Sequence, residues 1–193
     1  ICPMGELGEI ADAHNLFLVE DASQAFGARR NGRIAGSFGD LSCISLNPMK
    51  LLGACGEAGI ILTDNGNLTQ RLTALRYNGM VNREICFEPG LNARMDTMQA
   101  AILLVKFNRL EGILKRRREI AGIYNHLLSH VVKTPQKAET AHDAHYIYPI
   151  LTDERDKLMD HLEAGGIEAK IRDPYLMPSQ PAYKNHARGQ FPN

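Results

Sequence analysis

A short, continuously apolar run, Leu16-Phe17-Leu18-Val19, follows an amphipathic helical pattern over residues 5–15 and ends at Glu20-Asp21. A continuous apolar run of this length is typical of a strand that is buried on both faces. Such strands belong mainly to parallel sheets that are covered by helices. The run therefore predicts an α/β fold with a mostly parallel sheet.

The remaining patterns extend this prediction along the chain. Asn31-Gly32 predicts a two-residue hairpin, because a type I′ turn needs two residues at positive φ. Asp96 and Gln99 have the spacing of a capping box at the start of a long helix that we expect to reach residue 129. Further strands are predicted at 41–46, 59–63, 145–151 and 168–171, and further helices at 68–77 and 152–164. This order favours a parallel α/β sheet followed by a smaller α+β unit.

Charge and composition exclude several classes of function. The chain has 22 basic and 22 acidic residues, so no net charge draws it to nucleic acid or to a membrane surface. The basic run at 115–118 lies in a helical pattern with glutamates nearby and no interleaved aromatic residues, which indicates a solvated helix face. The four cysteines form no C-x-x-C pair, so neither a zinc site nor a redox motif is indicated. We expect a cytoplasmic protein with no nucleic-acid or membrane partner.

The two ends of the sequence suggest an incomplete chain. It begins at Ile1 rather than Met, inside a loop-and-helix pattern, and it stops at residues 191–193 without a closing element. We therefore expect this chain to be a piece of a longer protein.

Polar side chains follow two of the predicted strands. Asp21 and Gln24 come directly after the first, where open α/β sheets place ligand-binding residues, although an isolated Asp is more often a turn or helix-cap residue. Ser45 and Lys50 follow the next strand. Most loop lysines are solvated amines, but Lys50 lies among apolar and small residues, and such partial burial favours the neutral, nucleophilic amine. The hydroxyl of Ser45 is a candidate phosphate ligand, although most serines at such positions bond to the backbone.

Three glycines at 53, 56 and 59 resemble a phosphate-binding loop at first sight. They are followed by the apolar strand pattern at 60–62, whereas the P-loop and the dinucleotide fingerprint both need a helix behind the glycines. We interpret them as positions where the backbone approaches a flat ligand closely. Asn92 and Arg94 precede the long helix, a favourable location for binding an anion.

In their order along the chain, these segments resemble the DegT/StrS family of pyridoxal 5′-phosphate (PLP)-dependent sugar aminotransferases. The resemblance covers nearly the whole chain and rests on Glu-Asp-Ala-Ser-Gln-Ala (20–25), Gly-Ser-Phe-Gly-Asp (36–40), Ser-Leu-Asn-Pro-Met-Lys (45–50), Gly-Glu-Ala-Gly (56–59), Gly-Leu-Asn-Ala-Arg-Met-Asp (90–96), Gln-Ala-Ala (99–101) and Gln-Pro-Ala-Tyr (180–183). It implies a PLP-transferase type I fold. Residues 1–113 would form part of its three-layer α/β/α large domain, and residues 114–193 would form a long linking helix with part of a smaller α+β C-terminal domain.

The resemblance also implies roles for individual residues. Lys50 would carry PLP as a Schiff base and move protons, and Asp21 would hold the pyridine nitrogen protonated so that the ring acts as an electron sink. Gln24 would contact the ring beside its phenolic oxygen, and Ser45 would bind the cofactor phosphate. Asn92 would reach the phosphate of the neighbouring subunit's cofactor, which makes the site a property of a homodimer.

The implied reaction moves an amino group from glutamate through PLP to a nucleotide-linked keto sugar, in amino-sugar biosynthesis. Arg94 is a weaker candidate for binding a substrate carboxylate. The sequence departs from the family pattern in two ways: it has no counterpart of the N-terminal phosphate-binding loop, and Pro178 stands where the family usually has histidine. Two alternatives remain, a non-catalytic regulatory or binding module with the same fold and a PLP-dependent sugar dehydratase, although dehydratases carry His where Lys50 stands.

Overall fold

The computed structural model describes residues 1–136 and 138–183, which belong to two compact units, one from Ile1 to Ile150 and one that begins at Leu151. The helices of the first unit are α1 (Met4–Ala13), α2 (Gly66–Leu75), α3 (Thr97–Phe107) and α4 (Leu110–Leu128). Its strands are β1 (Val19–Asp21), β2 (Arg29–Arg30), β3 (Arg33–Ile34), β4 (Leu41–Ser45), β5 (Gly59–Leu62), β6 (Met80–Val81), β7 (Ile85–Cys86) and β8 (Ala141–His142). The second unit has α5 (Arg155–Ala164) and two 3₁₀ helices, Met177–Ser179 and Pro181–Tyr183.

The main sheet has the strand order β1-β4-β5. β1 and β4 are parallel, with Val19 opposite Leu41 and Asp21 opposite Cys43, whereas β4 and β5 are antiparallel. The other strands of the described residues form two small sheets, one of order β3-β2-β8 and one of order β6-β7. The carboxyl ends of β1 and β4 therefore lie side by side, and the predicted ligand-binding residues follow from these ends.

The first strand differs from its prediction. β1 begins at Val19, and Leu16, Phe17 and Val19 are each more than half exposed. β1 pairs with β4 alone and stands at the edge of the described sheet, so one of its sides has no neighbouring strand within residues 1–136 and 138–183. Burial of this run on both faces was therefore a wrong prediction for the described residues, whereas the strand itself was predicted correctly to within about three residues.

The predicted hairpin is confirmed. β2 and β3 pair across Asn31 and Gly32, whose φ values are 51° and 78°. Both residues have the positive φ that a type I′ turn requires. By contrast, residues 145–151 and 168–171 are not extended strands in the structure, and the predictions made for them were wrong. One reason for the first is His145, whose φ of 47° breaks an extended run.

The long helix predicted over residues 96–129 is two helices, α3 and α4, separated at Asn108 and Arg109. Asn108 is the C-cap of α3, in keeping with the preference of asparagine side chains for caps over helix interiors. The predicted capping box is absent at Asp96, whose side chain makes no cap hydrogen bond. Gln99 instead accepts a hydrogen bond from the Cys55 backbone N–H at 2.8 Å, which takes it away from the helix start. The predicted boundary between residues 113 and 114 falls within α4 and stays a prediction.

Two clusters of buried apolar side chains meet at the turn that carries Lys50. Leu52 belongs to a cluster with Ile44 and Leu46 of the β4 region, and Leu51 belongs to a second cluster with Leu114 of α4. Leu51 and Leu52 are only 8% and 4% exposed. Because consecutive residues after Lys50 are buried in different clusters, the backbone at Lys50 has little freedom to move.

The basic run on α4 makes contacts within the chain. Arg116 pairs with Glu119 and Arg118 pairs with Glu111, each with an N–O distance of 3.2 Å. Arg117 donates hydrogen bonds to two backbone carbonyl groups of the segment that contains His145. None of the helices in the described part of the chain is both long enough and apolar enough to cross a bilayer.

Candidate active site

Asp21, Ser45 and Lys50 lie along one edge of the main sheet. Asp21 is the last residue of β1 and Ser45 the last of β4, and the two strands are parallel neighbours. Lys50 follows in a tight turn, in which its backbone N–H donates to the Asn47 carbonyl oxygen at 2.8 Å. The structure therefore brings together three of the predicted site residues.

The carboxylate of Asp21 is held by Ser23. Oδ1 of Asp21 accepts hydrogen bonds from the Ser23 hydroxyl at 2.5 Å and from the Ser23 backbone N–H at 3.0 Å. The hydroxyl contributes most to lowering the pKa of Asp21 below its ordinary value of 3.8, followed by the backbone N–H. Desolvation of the carboxylate opposes them, and the charge of Lys50 makes the smallest lowering contribution. Asp21 is therefore ionised at neutral pH, and it lies close enough to Lys50 for their charges to interact.

The Lys50 side chain is half-buried and lies against an aromatic ring. Its Nζ is 4.8 Å from the centroid of the Tyr146 ring, within the range of a cation–π interaction. Tyr146 belongs to the same compact unit as Lys50. Sequence reasoning missed this tyrosine.

Asn47 and Glu57 organise the turn between Ser45 and Lys50. The Asn47 side chain donates to Oε1 of Glu57 at 2.8 Å and accepts from the Met49 N–H at 2.9 Å. Ser45 Oγ accepts a hydrogen bond from the Asn47 backbone N–H at 3.4 Å, so in this structure the hydroxyl helps to hold the turn that follows β4. The sequence signal for this turn is Asn-Pro at 47–48, because Asn before Pro favours turn initiation.

The glycines at 53, 56 and 59 accommodate other parts of the protein. A Cβ on Gly53 would lie 2.5 Å from the Pro48 carbonyl oxygen, and one on Gly59 would lie 3.3 Å from the Ile44 carbonyl oxygen. At Gly56 the nearest atom is Nε2 of Gln99, at 3.2 Å. Close packing of the chain against itself is therefore a reason for glycine at these positions, and the interpretation that they also admit a flat ligand stays a prediction.

Glu20 precedes Asp21 and has a different role. Its side chain is buried, with 5% of the residue exposed, and it accepts hydrogen bonds from the backbone N–H groups of Gly36 at 2.7 Å and Phe38 at 3.1 Å. Successive side chains of a strand point to opposite faces, so Glu20 holds the loop before β4 while Asp21 faces solvent. Sequence reasoning singled out Asp21 and missed Glu20, although the alternation of a strand could have separated the two carboxylates.

Replacing Glu20 with alanine should lower the free energy of unfolding by roughly 2–4 kcal/mol, because the buried N–H of Gly36 and the part-buried N–H of Phe38 lose a charged acceptor. Urea denaturation of the full-length protein measures this change. Glu9→Ala on the exposed surface of α1 is the control and should stay within about 0.5 kcal/mol of the unmodified protein. Equal stability of the two variants would contradict the structural role of Glu20.

The other predicted site residues lie in loops. Gln24 is exposed in the turn that follows β1. Asn92 is exposed and forms an isolated β-bridge with Tyr77, and Arg94 places its guanidinium 4.3 Å from the centroid of the same tyrosine ring. Within the described residues, no hydrogen bond joins the side chains of Asn92 or Arg94 to Asp21, Ser45 or Lys50. The roles assigned to Gln24, Asn92 and Arg94 stay predictions.

No cluster of three or more His, Cys, Asp or Glu side chains that could hold a metal ion occurs in residues 1–136 and 138–183. The four cysteines are unpaired and exposed, although Cys43 lies in an apolar strand. Cys43 shows the reason: it alternates along β4 with the buried Ser42 and Ile44, so its side chain points to the opposite face.

Comparison with solved structures identifies the class of protein. A crystal structure described as a DegT DnrJ EryC1 StrS aminotransferase from Brucella abortus superposes with a TM-score of 0.92 at 34% sequence identity, covering 95% of this chain and 50% of that one. The chain therefore has the fold of the PLP-type aminotransferases. It belongs to the DegT/DnrJ/EryC1/StrS aminotransferase family, which it matches over residues 1–193.

Two relatives show the range of functions named in this family. A pleiotropic regulatory protein of Geobacillus stearothermophilus is 34% identical over 195 residues, covering 98% of this chain and 52% of the relative. A dTDP-3-amino-3,4,6-trideoxy-alpha-D-glucose transaminase of Streptomyces venezuelae is 34% identical over 186 residues, covering 95% of this chain and 49% of the relative. The chain spans about half the length of these relatives.

Proposed function

We propose that the full-length protein is a PLP-dependent aminotransferase that transfers an amino group from glutamate to a nucleotide-linked keto sugar. The product would enter amino-sugar biosynthesis, for a cell-surface polysaccharide or an antibiotic, and the enzyme would act in the cytoplasm as a homodimer. The observation that carries this proposal is the placement of Asp21 and Ser45 at the adjacent carboxyl ends of the parallel strands β1 and β4, with Lys50 in the turn that follows β4. Family membership and the transaminase of Streptomyces venezuelae support the reaction class.

The chemistry of the residues at this edge fits PLP. An ionised Asp21 suits a protonated pyridine nitrogen, and its low pKa keeps the carboxylate charged when that proton is present. Lys50 supplies the primary amine for covalent attachment, and the half-exposed Ser45 hydroxyl is available to a phosphate oxygen. Gln24, exposed beyond Asp21, would contact the ring oxygen. When bound, PLP supplies an electron sink for the carbon that loses or gains the amino group.

Lys50 has two tasks in this proposal. Its amine holds the cofactor between reactions, and once free it moves the proton between the substrate carbon and Nζ. The turn fixed by Leu51, Leu52 and the Asn47–Glu57 hydrogen bond keeps that amine in place. Asn92 would bind the phosphate of the neighbouring subunit's cofactor, and Arg94 would bind a substrate carboxylate.

Reductive labelling tests the cofactor assignment. We expect the full-length protein with PLP to be yellow, to lose its visible absorbance when glutamate is added, and to carry an irreversible PLP label on Lys50 after borohydride reduction and peptide mapping. The matched control is the exposed Lys115 of α4, which should stay unlabelled. A colourless protein, or a label on another lysine, would remove the basis of the aminotransferase proposal.

A second candidate is a regulatory module that keeps this fold without turnover. The name of the Geobacillus stearothermophilus relative favours it. A regulatory module has no need of a covalent cofactor, whereas Asp21, Ser45, Lys50 and Asn92 are the residues that a transaminase would use. The borohydride label therefore separates the two candidates. A PLP-dependent sugar dehydratase is disfavoured, because Lys50 stands where the dehydratases carry histidine.

A further inference from the structure

Tyr146 lies against the side chain of Lys50 although the two are far apart in sequence. The Nζ of Lys50 is 4.8 Å from the centroid of the ring, and both side chains are half-buried. A cation over the face of a tyrosine is attracted by the ring quadrupole, and the attraction grows as water is removed. The contact joins an aromatic ring to the candidate cofactor lysine.

Several independent contacts hold the ring in this position. Ala144 is buried in the same apolar cluster as Leu51, the residue after Lys50, and Tyr146 packs against that cluster. Nη1 of Arg117 donates to the carbonyl oxygens of His145 and Tyr146, at 2.8 Å and 3.2 Å. The segment therefore docks on the Lys50 turn through its core packing and through α4.

The backbone next to Tyr146 has an uncommon conformation. His145 has a φ of 47°, in the left-handed region that residues other than glycine rarely adopt. Such residues cluster at functional sites, because the surrounding structure must keep them in place. Here the carbonyl of His145 is one of the two that Arg117 holds, so the unusual turn and the ring position are maintained together.

We propose that Tyr146 is a positioning residue for Lys50, whose ring face holds the lysine side chain in place at the carboxyl edge of β1 and β4. The role matters for catalysis whenever the amine is not bonded to the cofactor, since proton transfer to and from Nζ requires the amine in a defined place. This catalytic consequence rests on the proposed function, whereas the contact between the ring and the ammonium group does not.

Competitive labelling of the cofactor-free, full-length protein tests the contact. A trace of acetic anhydride acylates accessible amines, and because the ring covers one side of Nζ and attracts it, loss of the ring should make Lys50 more reactive. We expect Tyr146→Leu to raise the labelling rate of Lys50 about three- to tenfold at neutral pH, and Tyr146→Phe, which keeps the ring, to stay within about twofold of the unmodified protein. The exposed Lys115 serves as the reference amine in every sample.

Tyr148→Leu is the matched control. Tyr148 lies in the same segment as Tyr146, but its ring contacts Tyr124 and its hydroxyl bonds Asn125. It should leave the Lys50 labelling rate unchanged. If Tyr146→Leu does not fold, a fluorinated phenylalanine at position 146 keeps the shape of the ring while weakening its quadrupole, and it should raise the rate in the same direction. Unchanged labelling in Tyr146→Leu or the fluorinated variant would overturn the proposal, as would equal rates for Tyr146→Phe and Tyr146→Leu.

The holoenzyme provides a second readout. Tyr146→Leu should lower kcat for the glutamate half-reaction about threefold with little change in KM, and Tyr146→Phe should restore it. A change in KM alone would contradict a role at the proton-transferring amine. If the unmodified protein takes up no PLP on Lys50, the proposed function fails while the labelling ratios still test the contact. If PLP binds Lys50 but the ratios do not change, the positioning role alone fails.

Discussion

Replacing Lys50 with arginine should abolish amino transfer by the full-length protein. The guanidinium keeps the positive charge but stays protonated, so it can neither attack the cofactor nor exchange a proton at neutral pH. We expect kcat to fall by at least about 10³-fold, because positioned proton transfer alone contributes on the order of 10²–10⁴-fold. The measurement is the rate of glutamate-dependent loss of the cofactor's visible absorbance.

The control for this experiment is Lys115→Arg, an equivalent exchange at an exposed position of α4, which should keep its full rate. The melting temperature of Lys50→Arg should stay close to that of the unmodified protein, since Leu51 and Leu52 still anchor the turn. Substantial turnover by a folded Lys50→Arg protein would show that another group performs the chemistry.

Replacing Asp21 with asparagine should lower the rate of amino transfer roughly 100-fold while PLP still binds. The amide has nearly the same shape and can still accept from Ser23, but it lacks the charge that keeps a pyridine nitrogen protonated. The single-turnover rate with glutamate measures this loss. Asp12→Asn on the exposed surface of α1 is the control. A full rate in Asp21→Asn would contradict the assignment of this carboxylate to the ring nitrogen.

The pKa of Asp21 also determines how the charge of this carboxylate and its contribution to stability vary with pH. The Ser23 hydrogen bonds and the charge of Lys50 lower this pKa, so the carboxylate's contribution to stability is complete above its ordinary value of 3.8 and is lost as the pH falls through the lower folded value. Asp21 therefore stays charged between pH 5 and pH 8. If activity falls within that range, the pH–activity profile of Asp21→Asn should have the same shape as that of the unmodified protein.

The site residues that follow strands could be predicted because their position depends on local order. Asp21, Ser45 and Lys50 each come at or just after the end of β1 or β4, and parallel neighbours bring such ends together. Family resemblance added roles to these positions. Asn92 and Arg94 were predicted from a helix start in the same way, but their contacts with Tyr77 give no test of those roles.

The parts that could not be predicted depend on distant contacts. Tyr146 reaches Lys50 through an irregular turn at His145, and no periodic pattern encodes a turn of that kind. Gln99 leaves the predicted capping box because it accepts from the Cys55 N–H, a partner far away in sequence. The break between α3 and α4 allows Leu103 and Leu114 to be buried in different clusters, which one straight helix pattern does not indicate.

The adjacent carboxylates of β1 make the length of the preceding segment more important than its composition. Glu20 is buried and Asp21 is exposed because side chains alternate along the strand. A deletion of one residue within 16–19 would shift this register, moving Asp21 to the buried position and Ala22 to the position of the site carboxylate. In a library of variants of the full-length protein, single-residue insertions and deletions within 16–19 should therefore be eliminated by selection for activity.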